Sequence, residues 1–131
     1  MQVQFAFICR EFIEEGEGLL TLQGFPLATV ARSALPSALP PSVLLIGLRY
    51  GSEDAGPRDV TLTGVDPDGR SLFKPLSDTE QLPRPDPGET QLQGLIFRLP
   101  VMQLRVFGTH EVRLSIDGEA LVTVPFRVKR A

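Results

Sequence analysis

The chain has 131 residues, 42% of them apolar and 22% charged, enough for one buried core and too apolar for a disordered segment. Its net charge of −3 offers no basic field for a phosphate backbone, so no nucleic acid is expected among its partners. No apolar run reaches the length of about 18 residues that a membrane-spanning helix needs, so no membrane partner is expected either.

The chain opens on "MQVQFAFIC", where Val3, Phe5 and Phe7 alternate with Gln2, Gln4 and Ala6. That period of two reads as a strand over 2–9. Arg10 and Glu11 end the apolar stretch too early for a secretory signal, so a cytoplasmic location is expected. The single cysteine, Cys9, fits a reducing compartment, since it has no intramolecular partner. Further strands are expected near 18–24, 26–32, 42–50, 58–65, 70–75, 90–98 and 109–116, with the last near 120–129. "EEGEG" at 14–18 reads as a polar hairpin tip, and "DPDG" at 66–69 as a turn with Pro67 and Gly69 in the positions that favour it. "SALPSALPP" at 33–41 and "SDTEQLPRPDPGE" at 77–89 read as proline-rich surface loops, and "LPVMQL" at 99–104 as the one helix-like turn.

"SVLLIGLRY" at 42–50 is apolar on both faces and so belongs in the middle of a sheet. Strands of this number and spacing predict an all-β fold: a single domain over 1–131, an antiparallel β-sandwich of about seven to nine strands with little or no helix. Phe5, Phe7, Leu45, Leu62, Leu95, Phe97, Leu114 and Phe126 are the expected filling between its layers. In "VRLSIDGEALVTVPFRV" at 112–128, a two-residue turn at Asp117-Gly118 would set the apolar faces of the two strands out of step. One extra residue is therefore expected in the hairpin. The first strand carries neither charge nor proline before Arg10. It should be covered by a neighbouring segment or paired across a symmetric dimer.

Three stretches carry a resemblance. "MQVQFAFICRE", "GLLTLQG" followed by "FPLATV", and "FGTHEVRLSIDGEALVTVPFRV" resemble an uncharacterised family of small stand-alone bacterial β-sandwich proteins of immunoglobulin-like form. At Gly108-Thr109-His110 the chain departs from the family's usual Gly-Glu-Tyr or Gly-Glu-Phe. The resemblance implies a fold and no activity.

Candidate chemistry is thin. His110 is the only histidine; beside one cysteine on another strand it is a poor start for a zinc site, and it is expected half-exposed at a strand start. No Gly-x-Ser-x-Gly elbow surrounds a serine. Cys9 beside Arg10 could be a reactive thiol, but a buried packing cysteine is the stronger reading. Carboxylates gather at Glu11, Glu14, Glu15 and Glu17, at Glu53, Asp54 and Asp59, and at Asp66 and Asp68. Small-ligand or calcium binding at acidic end loops is the alternative that they support, against solvated turns. Tyr50 is the one aromatic expected at the surface, which speaks against a stacking platform for sugars or bases. The expectation is thus a non-enzymatic interaction or structural module with no catalytic, cofactor-binding or metal-ligating residue, and with no cofactor. Its expected partner is another protein or a second copy, as a homodimer.

Overall fold

Alternation and turn chemistry resolve into twelve strands. In the computed structural model, which describes residues 1–131, they are β1 (Gln2–Cys9), β2 (Glu11–Gly16), β3 (Leu19–Gln23), β4 (Thr29–Arg32), β5 (Ser37–Leu39), β6 (Ser42–Tyr50), β7 (Gly56–Val65), β8 (Leu76–Leu82), β9 (Gln91–Leu99), β10 (Met102–Leu104), β11 (Gly108–Ile116) and β12 (Glu119–Arg130). The one helical element is a three-residue 3-10 turn at Ser52–Asp54. No helix is long and apolar enough to cross a membrane. Two main sheets face each other, one in the order β1-β6-β9 and the other β4-β12-β11-β7-β8. Their pairs are antiparallel, except that β12 and β4 run parallel. Two smaller ribbons, β2-β3 and β5-β10, complete the molecule.

The doubly apolar β6 lies between β1 and β9 and is buried almost throughout. Leu44, Ile46, Leu48 and Tyr50 point into the main core of 23 residues, where Val60, Leu62, Val112, Leu114 and Phe126 meet them from the larger sheet. Val43 and Leu45 point the other way and form a second, smaller cluster with Cys9. Both faces of β6 are therefore covered, as its sequence requires.

A bulge reverses one expectation. Val3 pairs with Leu48 and Phe5 with Gly47, so Gln4 is an extra residue in β1. Beyond it the alternation changes phase: Ala6 and Ile8 turn inward with Val3, while Phe5 and Phe7 turn outward. The expected core membership of Leu62, Leu95, Phe97, Leu114 and Phe126 holds; Phe5, Phe7 and Leu45 lie instead on the outer side of the three-stranded sheet. At the C-terminal end of β1 the chain covers the edge itself. Leu27 N–H donates to the Ile8 carbonyl over 2.7 Å, and Phe25 packs edge-on against Phe7 at 4.4 Å.

The terminal hairpin closes at Asp117 and Gly118, whose φ values of 50° and 82° suit a tight two-residue turn. Leu114 pairs with Val122 and Ser115 with Ala120, so Leu121 is the extra residue that the sequence demanded. It brings Val112 and Leu114 onto the same core as Val124 and Phe126.

Other expectations fail for identifiable reasons. Residues 70–75 form no strand beyond a single bridge from Val65 to Ser71; Leu72 and Phe73 instead plug the core, the Phe73 ring occupying the space that Gly64 leaves. The segment read as a proline-rich loop contains β8, held by its pairing with β7 and showing no apolar alternation to read. β5 likewise lies within the other expected loop, and 99–104 supplies β10, its partner, rather than a helical turn.

Candidate functional site

Beyond Cys9 the chain bends at Arg10, whose N–H donates to the Gln23 carbonyl over 3.0 Å, and β2 and β3 run back across the outer face of the three-stranded sheet. Gly16, Glu17 and Gly18 all take positive φ at the hairpin's tip, which is why "EEGEG" can reverse so sharply there. Phe12 and Leu22 face downward and pack on the small cluster of Cys9, Val43 and Leu45. Arg98 of β9 pins the base: its guanidinium lies 3.2 Å from Glu11 and 5.0 Å from the centre of the Phe12 ring. The Glu11 carboxyl is held below its usual pKa first by the Phe12 N–H and then by Arg98.

Toward its tip the hairpin stands off the sheet and leaves an apolar cleft of about 510 Å³. Gly94 makes part of the floor, and Gly47 stands opposite it in the sheet. They are not equivalent. The Phe5 ring fills the space over Gly47, so that a Cβ there would collide with it, whereas a Cβ at Gly94 would meet nothing within 4 Å. Leu45, Leu95 and Ile96 line the rest of the floor; Leu20 and Leu22 form the roof, and Glu14 is the one charged residue in the lining. Apolar side chains continue outward from the cleft: Leu19 is 63% exposed, Phe25 50% and Phe5 40%. Phe5 stacks on Phe7 at 5.4 Å, and Phe7 in turn meets Phe25. Such a continuous apolar surface on a small protein marks a binding region more often than scattered exposure does. The arrangement offers space for an apolar group beside one carboxylate.

Of the residues singled out for chemistry, only Glu14 lines the cleft. His110 is not half-exposed but wholly buried, because it shares the inward parity of Val112, Leu114 and Ile116 in β11. Its ring stacks on Phe126 at 5.2 Å, and Nδ1 lies 3.0 Å from the Gly108 carbonyl, leaving Nε2 without a partner. Cys9 is buried too. Its thiol approaches the Glu11 carbonyl at 3.4 Å, and burial pushes its pKa up. Tyr50, expected at the surface, is 2% exposed and donates its hydroxyl to the Pro83 carbonyl over 2.6 Å.

The acidic loops do not converge, and no three His, Cys, Asp or Glu side chains stand together as a metal site. Asp66 is buried and accepts 2.9 Å bonds from the N–H groups of Asp68 and Arg70. Burial raises its pKa, but these bonds and the Arg70 guanidinium outweigh that and leave it lowered. Asp117 is lowered by Arg58 at 2.8 Å and then by the Asp59 N–H.

Of the cleft residues only Glu14 was singled out in the sequence, as one of an acidic loop and not as part of an apolar site. The available signal was the outer face of β6: a central strand apolar on both sides needs a cover on both, and "GLLTLQGF" was the segment free to supply one.

The molecule is thus an all-β protein in which a hairpin forms a third layer over one sheet of a two-sheet core. It belongs to a family of unknown function, DUF6941, whose model matches residues 4–129. No curated protein and no solved structure matches the chain.

Proposed function

We propose that the chain is a non-enzymatic protein-interaction module whose cleft receives an apolar segment of a partner protein. The observation that carries this reading is the open cleft, floored by the bare Gly94 and continuous with exposed Phe5, Leu19 and Phe25. Glu14 in the lining and Glu15 and Glu17 at the hairpin's tip make the rim acidic, so the fitting segment carries Lys or Arg beside its apolar anchors. The burial of both Cys9 and His110 favours binding over nucleophilic or acid–base chemistry. A cytoplasmic setting fits a lone, buried thiol.

The test is to select short peptides from a displayed library against the protein and measure them on two variants. Gly94→Phe fills the floor, and Leu20→Lys places an ammonium in the roof. Enriched peptides should combine apolar and basic residues and lose at least about tenfold in affinity on both variants, a change of about 1.4 kcal/mol. Peptides that bind wild type and both variants equally, or no enrichment at all, would overturn the reading.

A further inference from the structure

Each main sheet has two edges, and three of the four are defended. β1 carries the Gln4 bulge and is capped by Leu27 and Phe25. β4 is only four residues long, a short edge. β8 carries Asp78 and Glu80 on either side of its central Thr79. If two copies of β8 paired antiparallel about that centre, each Asp78 would stand opposite a Glu80. Such like-charge opposition disfavours self-pairing. β9 is different: it runs nine residues without proline or register shift, pairs with β6 on one side, and its other edge receives no backbone hydrogen bond. A long, straight, unblocked edge is a template for another strand.

We propose that β9 is a self-association edge, at which a second copy of this chain pairs antiparallel about Leu95 to join the two three-stranded sheets into one of six strands. Side-chain parity and strand length fix that centre. Opposed residues in an antiparallel pair point to the same side, so a two-fold axis must pass through a residue position. Full overlap of the nine residues puts it at Leu95. Gln91 then faces Leu99 of the second copy, Leu92 faces Arg98, Gln93 faces Phe97 and Gly94 faces Ile96. Arg98 is the only charge in β9, and this register sets the two copies of it about 20 Å apart, more than two Debye lengths at physiological salt. Each apolar Arg98 stem lies beside a Leu92 that is 47% exposed in the single chain. Within the β9 pair itself no like charges stand opposite each other, in contrast to a β8 pair.

The proposal does not depend on what occupies the cleft: β9 also contributes Gly94, Leu95 and Ile96 to the cleft floor, but Leu92 does not line it. Its test uses that residue and sedimentation velocity over a dilution series across the micromolar range. Wild type should pass from monomer to dimer. Leu92→Arg should weaken the dimer about tenfold by placing two arginines face to face at each end. Leu92→Glu should tighten it severalfold by pairing with Arg98. A wild type that stays monomeric throughout the series overturns the proposal, as does a dimer that both variants shift in the same direction. A protein that stays monomeric leaves the cleft open to peptides, so failure here leaves that reading standing.

Discussion

Phe126 shows what a single buried side chain contributes. It sits in the core with 1% of its surface exposed, its ring against His110, on a strand that Pro125 and Arg127 show to be solvent-facing at alternate positions. Phe126→Ala should cost about 3–5 kcal/mol in urea-unfolding experiments, the sum of lost burial and the cavity left behind. A loss under about 1 kcal/mol would mean that the last strand does not face the core in this way. Asp117 contributes differently, through charge. Arg58 and the Asp59 N–H hold its folded-state pKa below the unfolded value of about 3.9, so its contribution is complete above that value and is lost as pH falls through the folded-state pKa. Asparagine also tolerates the positive φ at this turn, so Asp117→Asn removes the charge and keeps the geometry. The variant should be less stable than wild type at pH 7, and the gap should close in acid as Asp117 itself protonates. A gap that stays constant from neutral pH to pH 2 would place its origin elsewhere.

At the scale of elements, legibility followed burial. β1 and β6 were readable to the residue because alternation and turn residues bounded them, and the extra residue in the β11–β12 hairpin followed from counting apolar parity. β8 was not readable: "LSDTEQL" is exposed along most of its length, so main-chain bonds to β7, and no apolar face, make it a strand. The bulge at Gln4 was hidden for another reason. Val3, Phe5 and Phe7 look like one face until pairing with β6 inserts an extra residue between the first two. The cleft was lost with it, since it depends on Phe5 and Phe7 facing outward. The parity of His110 with Val112 and Leu114, by contrast, was in plain view and was set aside for its position at a strand start.

For the whole molecule, the layering implies unequal stability. β6 is enclosed by β1, β9, the main core and the hairpin, so exchange of its amides requires the two-sheet core to come apart. The β2–β3 hairpin is held by much less. Only Phe12 and Leu22 of its side chains pack on the small cluster, its strands pair only with each other, and the Arg98–Glu11 contact that pins it is exposed. An exposed ion pair contributes under about 1 kcal/mol, and an isolated two-stranded ribbon is marginal in water. The hairpin should therefore open as a unit while the two sheets stay folded, which would let the cleft admit a segment too large for its resting form. Amide hydrogen exchange followed by mass spectrometry or NMR reads this directly. Residues 11–23 should exchange together, faster than β6 and β11 and with little dependence on denaturant, because little surface is exposed in the opening. If those amides are instead as slow as β6 and share its denaturant dependence, the third layer is part of the cooperative core, and any segment entering the cleft must fit it as it stands.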